Sequence, residues 1–339
     1  MVDKLAPVLA VTMGDPAGVG PEVIVRALAD ATVREGARPV VFGDRHVLDA
    51  ASAVTGAAVP WQVVPDAKAA ADPEIAASGR VALVTMNMID PATWTWGRLS
   101  ESHGKAAVAY LDAAMQAVDD GHAAALVTAP INKEATTLAG IPDLGHMEIL
   151  ARRYGVTDHA TMLVSGRLRC VHVSTHYSLR DALDRITRAR VLTRIRTTDV
   201  AFRAWGVGAP RIAVAAVNPH GGEGGILGRE EIEVLAPAVA DARAVGIDAH
   251  GPIPADSVFT RAMRGGFDAV IAMFHDQGHI PVKVHGFEES VSVALGLPII
   301  RTSVDHGTAF DIAGKGIADA TSMAEAIRVA SAICAGRWA

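Results

Sequence analysis

Three histidines close three apolar runs of the chain: His176 follows CVHVST, His220 follows IAVAAVNP and His275 follows AVIAMF. A neutral imidazole offers an unprotonated ring nitrogen, and three of them with an open position left over make a catalytic metal arrangement. Ligands of open α/β sheets bind beyond the carboxyl ends of the strands, so three strand ends can aim three imidazoles at one point. For each histidine alone, a polar residue satisfied at its own loop is the competing reading. Asp276 and Asp256, the latter in PIPADSVF, are candidates for further ligands or for carboxylates that orient the imidazoles. Asp256 fits a turn or helix cap equally well.

The loop around His220 is rich in glycine. Pro219 stops the preceding run, and Gly221, Gly222, Gly224 and Gly225 let the backbone pass close to whatever His220 holds; an ordinary flexible turn is the alternative. Two cations stand further along. Lys283 and Arg301 flank VHGFEESVSVALGLPII, and a point charge with a bidentate fork suits a phosphate or carboxylate. Solvation at the surface also explains Lys283, whereas Arg301 comes directly off an apolar run, where an unpaired guanidinium is costly. His146 in GHMEIL and Lys133 in TAPINKEA sit at loop-to-helix junctions, where capping or packing competes with function. GDPAGVGPE places Gly14, Asp15 and Gly18 before a helix with Pro21 in its first turn. That turn is either an anion cradle or a tight structural turn, and it matches neither the dinucleotide GxGxxG nor the Walker lysine pattern.

These residues need elements to position them. Val, Ile, Leu and Ala recur in APVLAVTMGD, RPVVFGD, GRVALVTMN, AAALVTAPINK, LRCVHVSTH, RIAVAAVNPH, FDAVIAMFHDQG and LPIIRTSVDHG. Continuous apolar runs of this kind suit strands covered on both faces. Helical spacing fills the gaps in PEVIVRALAD, GKAAVAYLDAAMQAVDDG and REEIEVLAPAVADARAVG, so the pattern predicts an α/β protein with mostly parallel strands. WQVVPDAKAAADPEIAASG reads as an irregular surface excursion. With 339 residues, half of them hydrophobic, the chain has room for one large domain or two ordinary ones. A net charge of −6 with scattered Lys and Arg excludes a nucleic-acid face. Only Cys170 and Cys334 are present, too few for a disulfide framework or a zinc–thiolate site, which fits a reducing cytoplasm. No apolar run is long enough to span a bilayer, and MVDKLAPVLAVTMGD reads as a first strand and not a signal peptide.

Together, VTMGDPAGVGPE, LVTAPINKEA, GHMEIL, STHYSLRDAL, VNPHGGEGG, PADSVF, HDQGHIPVK and LPIIRTSVDHGTAFDIAGKG closely resemble the 4-hydroxythreonine-4-phosphate dehydrogenase (PdxA) family, in order over nearly the whole chain. The resemblance implies an isocitrate-dehydrogenase-like α/β fold of two α/β/α domains with a cleft between them. Residues 1–135 with 295–339 would form the first, cofactor-side domain, and 136–294 the second, carrying the metal and the dimer contact. It implies an NAD-linked homodimer with its active site at the subunit interface. It also implies a divalent cation (Zn, Mg, Mn, Co or Ni) on His176, His220 and His275, one of them supplied by the partner chain.

His146, Lys283 and Arg301 match the family's substrate-binding positions, with His146, Lys283, Asp256 and Asp276 as candidate catalytic groups. Two positions depart from the vitamin B6 enzyme's pattern: Met147 replaces the expected Thr and Ser292 the expected Asn. HDQGHIPVK and DIAGKGIADAT look more like relatives that oxidise the 4-phosphates of D-threonate and D-erythronate. Weaker candidates for cofactor contact are Gly14, Asp15 and Gly18, and Asp305 and Gly307. The reaction implied is oxidation of a secondary alcohol beside the metal, followed by decarboxylation. Other readings are 4-hydroxythreonine-4-phosphate dehydrogenation, a carboxylated cis-dihydrodiol dehydrogenase, a non-catalytic sugar-acid receptor and a metal hydrolase.

Overall fold

A computed structural model describes residues 6–70, 72–143 and 145–338. The first five residues of the expected N-terminal run lie outside them. The chain divides into two compact units, residues 1–155 with 297–335, and residues 156–296 with 336–339. The first boundary thus falls at 155/156 and not at the expected 135/136. Helices Lys133–Leu138 and His146–Tyr154 belong with the first unit. Gly104 explains part of this, because a Cβ there would stand 2.1 Å from the Ala135 carbonyl oxygen, so only glycine lets helix Glu101–Asp119 approach so closely.

Twelve strands are described: β1 Val8–Thr12, β2 Arg38–Gly43, β3 Trp61–Val63, β4 Val81–Thr85, β5 Ala125–Thr128, β6 Ala160–Ser165, β7 Leu168–His172, β8 Ile212–Ala215, β9 Ala249–Ile253, β10 Ala269–Ala272, β11 Val291–Leu295 and β12 Arg301–Val304. In the first unit they run in the order β3-β4-β2-β1-β5-β12, every pairing parallel. The second unit is mixed, in the order β11-β6-β7-β10-β8-β9. Its β11–β6 and β6–β7 pairings are antiparallel and the rest parallel. All eight expected runs are strands, and the α/β class is as the sequence predicts. The excursion at WQVVPD contains the short edge strand β3.

Register does the positioning. Arg301, the first residue of β12, pairs with Leu126 near the start of β5, and Ser303 pairs with Thr128 at its end, so the Arg301 side chain reaches two residues along the neighbouring strand to meet Thr128. In the second unit Ala272 of β10 pairs with His172 of β7, which brings the segments leaving both strands side by side. Core packing there is tight: Cys170, Val270, Ala272 and Val282 belong to one apolar cluster. Among the described residues, no helix is long and apolar enough to cross a membrane.

Candidate active site

The first unit buries a cation. Arg301 is only 4% exposed, and among the described residues no carboxylate lies within ion-pair distance of it. Its Nε and Nη2 both donate to Thr128 Oγ1, at 3.1 and 2.7 Å, and its Nη1 points to Met147 Sδ at 3.8 Å. Thr128 in turn donates to Ser303 Oγ at 2.9 Å. Burial pulls the guanidinium down to about 10, with the Glu148 carboxylate acting in the other direction, so it stays charged at neutral pH. Beside it, at the start of helix His146–Tyr154, His146 has its Nε2 sealed from solvent with no hydrogen-bond partner. Burial first, and the Arg301 charge second, hold this imidazole well below the usual histidine range, so it is neutral. A buried cation with an unpartnered ring nitrogen beside it is what a bound anion would complete.

The GDPAGVG turn is closely packed. Residues 14–20 are buried, and a Cβ on Gly14 would lie 2.3 Å from the Pro130 carbonyl oxygen, one on Gly18 2.9 Å from Thr308. Val19 donates its N–H to the Thr308 carbonyl, and buried Glu22 accepts from Gly314 and Gly316, so the turn clamps the 305–316 loop in place. Gly14, Asp15 and Gly18 thus have a packing role in holding that loop. Asp15 is fully buried, accepts from the Ala17 N–H at 2.9 Å and is pushed up to about 6 by burial. Gly307 is exposed, Asp305 half-buried, and the Nε2 of the intervening His306 is sealed without a partner. Lys133 is exposed one residue past Asn132, whose side chain caps that helix on the Ala135 N–H.

In the second unit the imidazoles gather. His176 and His275 have ring centroids 6.0 Å apart, a little more than the roughly 5–5.5 Å expected of two imidazoles sharing one tetrahedral ion. His275 Nδ1 donates to Asp276 Oδ1 at 2.7 Å. His220 Nδ1 bonds Glu223 Oε1 at 2.9 Å. A carboxylate on Nδ1 turns Nε2 outward as a donor atom, as in metal-bound histidines generally. His220 lies apart from the other two, and among the described residues no three His, Cys, Asp or Glu side chains of the single chain converge on a metal position. The structure thus joins two of the three strand-end histidines and leaves the third, 67% exposed, facing outward. The chemistry of the donor set fits a divalent ion, with coordination completed from elsewhere.

The conformation of the His220 loop answers why it needs glycine. His220, Gly221, Gly222, Glu223 and Gly224 all have positive φ, 52°, 71°, 81°, 46° and 68°. A run of left-handed residues is cheap only for glycine, so His220 and Glu223 are held at a strain that packing must offset. Glu231 supplies that packing. It is 3% exposed and accepts from the Val217 and Asn218 N–H groups at 2.8 and 2.7 Å.

Asp256 sits in the first turn of helix Ala255–Met263 and, with Asp276, lines an open pocket of about 710 Å³ walled by Phe259, Met263, Ile280 and Val284. Lys283 donates to Ser290 Oγ at 3.0 Å and lies over the Phe287 ring, while Ser292 is buried on β11. Sequence reasoning missed Thr128, His172, Gln277 and His279. Gln277 ties two strand ends together, accepting from the Met273 N–H and donating to the Ala216 carbonyl, each at 2.7 Å. The visible signal was the polar tail of HDQGH after an apolar strand.

One unit of this α/β protein buries a guanidinium with no carboxylate at ion-pair distance among the described residues, and the other braces imidazoles with carboxylates. Residues 35–330 match the family described as Pyridoxal phosphate biosynthetic protein PdxA. D-threonate 4-phosphate dehydrogenase of Cupriavidus necator is 46% identical over 325 residues, 95% of this chain and 96% of that protein. A 4-hydroxythreonine-4-phosphate dehydrogenase of Desulforapulum autotrophicum is 42% identical, over 96% of this chain and 95% of its own. The crystal structure of 4-hydroxythreonine-4-phosphate dehydrogenase from Klebsiella pneumoniae matches with a TM-score of 0.88 at 40% identity, covering 98% of this chain and 99% of that one. The chain belongs to the PdxA family of dehydrogenases, oxidoreductases acting on CH–OH groups.

Proposed function

We propose that this protein oxidises the secondary alcohol of a four-carbon hydroxy acid 4-phosphate, 4-phospho-D-threonate or 4-phospho-D-erythronate, with NAD as acceptor, and that decarboxylation follows. The observation that carries the reading is Arg301, a buried guanidinium without a protein carboxylate, adjoining the unpartnered His146 Nε2. A phosphate would supply the missing charge. Relatives named for D-threonate 4-phosphate are 46% and 43% identical to this chain, which supports that substrate class.

A divalent ion, when bound, would supply Lewis-acid chemistry for an alcohol oxidation with decarboxylation. His176, His275 and His220 would hold it. Asp276 and Glu223 hold Nδ1 of His275 and His220, which leaves Nε2 of each ring free to ligate an ion. NAD, when bound, would supply a hydride acceptor, and Asp305 and Gly307 are the residues proposed to meet it. Arg301 holds the distal phosphate and so fixes the carbon that reacts. His146, kept neutral, offers the substrate an unprotonated ring nitrogen as a hydrogen-bonding partner and stays a candidate for proton transfer. Lys283 and Ser292 keep their proposed substrate-binding roles, and Asp256 stays a candidate for proton transfer.

Two copies are proposed to complete each site. Exposed Ile226, beside the His220 loop, and exposed Ile280 and Val284, on helix His275–His285, are 85%, 58% and 82% accessible. Apolar surface of this extent next to candidate ligands suits contact with a second chain, which would bring His220 of one copy to the paired histidines of the other.

The test is NADH formation by the metal-loaded protein with 4-phospho-D-threonate, 4-phospho-D-erythronate and 4-hydroxythreonine 4-phosphate side by side. Turnover of the sugar acids supports the reading. A higher kcat/KM for 4-hydroxythreonine 4-phosphate would replace it with the vitamin B6 reaction, which the Desulforapulum autotrophicum relative's name keeps in view.

A further inference from the structure

His275 has two neighbours that set its ring. Asp276 holds Nδ1, but that carboxylate is 70% exposed and so a loose clamp. The other neighbour is His279, one helical turn on, whose ring stacks on that of His275 with centroids 3.5 Å apart and planes 11° from parallel. His279 is itself anchored. Its Nδ1 donates toward the His275 carbonyl at 3.0 Å and reaches His172 Nε2 at 3.2 Å. His172 ends β7, is 4% exposed and packs closely on Gly278, where a Cβ would lie 2.3 Å from His172 Nε2 and 2.5 Å from Cys170 Sγ. A line of contact therefore runs from the core through His172 to His279 and on to the face of His275.

We propose that the His172–His279 pair is a positioning device that fixes the ring plane of His275 before the divalent ion arrives. The inference rests on the metal-binding reading of His275 above. A half-exposed histidine must give up rotational freedom when it ligates an ion, and a preset plate removes that loss from the binding equilibrium. Neither His172 nor His279 needs to touch the ion. Outer partners of this kind are worth roughly 10- to 100-fold in metal affinity.

The test is calorimetric titration of the chelator-treated full-length protein with Co(II), alongside the melting temperature of each variant. His275→Ala, which reports on the underlying reading, is expected to lose Co(II) binding. His279→Ala is expected to bind roughly 10- to 100-fold more weakly, with its melting temperature close to the parent's, and His279→Phe, which keeps a flat ring on His275, to recover most of that loss. His172→Asn, which breaks the anchor, should weaken binding in the same direction. Parent-like Co(II) affinity in His279→Ala, while His275→Ala has lost it, would overturn the positioning role and leave the metal reading standing. Parent-like affinity in His275→Ala would overturn both. Should His279→Ala not fold, His279→Phe and His172→Asn decide: affinity lost in His172→Asn and kept in His279→Phe upholds the proposal, and any other pairing overturns it.

Discussion

Arg301 Nε and Nη2 share one acceptor, Thr128 Oγ1, at 3.1 and 2.7 Å, so a single hydroxyl on the neighbouring strand sets the direction of a buried guanidinium. Arg301→Met should lower kcat/KM for the phosphorylated substrate by about 100- to 1,000-fold, since buried charge contacts are worth roughly 2–5 kcal/mol. Its melting temperature should hold or rise, because an uncompensated buried charge is a cost that methionine removes. Thr128→Val should cost about tenfold in kcat/KM through misdirection of the same fork. Steady-state kinetics with thermal melts checks all three expectations, and an unchanged KM for Arg301→Met would argue against an anion at that position.

His220 sits at φ 52° with most of its side chain in solvent. His220→Asn tests its chemistry without adding backbone strain, because asparagine tolerates that left-handed conformation. Turnover should fall by at least about 100-fold, with the melting temperature unchanged. Full activity would remove His220 from the metal set.

Met147 and Ser292 are the two departures from the vitamin B6 pattern, and Met147 Sδ lies 3.8 Å from Arg301 Nη1. Met147→Thr combined with Ser292→Asn should move the ratio of kcat/KM values toward 4-hydroxythreonine 4-phosphate by about tenfold or more. An unaltered ratio would place selectivity in other residues.

Asp15 is buried and its carboxyl raised from 3.8 to about 6, with desolvation the main cause. The folded state therefore holds this proton more tightly than the unfolded chain does. Its contribution to stability is fully present below pH 4 and is lost as pH rises through 6, on the order of 2–3 kcal/mol. Asparagine mimics the protonated form at every pH and keeps an oxygen for the Ala17 N–H. Asp15→Asn should thus melt near the parent at pH 4.5 and a few degrees above it at pH 7.5. A gap that does not widen with pH would show that Asp15 is ionised at little cost.

The sequence announces strands where apolar runs are continuous, and eight of the twelve follow that rule. β3 is a three-residue edge, β9 carries Gly251 and Pro252, and β6 and β11 make the antiparallel pairings that a purely parallel reading does not foresee. The sequence marks His176 and His275 as residues that close apolar runs, whereas the adjacency of the strands before them, β7 and β10, belongs to the folded sheet. His220 follows β8, the next strand over, yet its left-handed turn carries the ring outward, and no periodicity encodes that. Thr128 and His279 depend on register and on one helix face meeting one strand end. Their roles exist only in the folded chain.

The most direct test is to incubate chelator-treated protein with 4-phospho-D-threonate and NAD, add Mn(II) or Co(II), and follow NADH and carbon dioxide together. The account expects neither product before the ion, and both in equal amounts after it. NADH at full rate in the continued presence of chelator, or no NADH with any of the sugar-acid 4-phosphates once the ion is supplied, would contradict it.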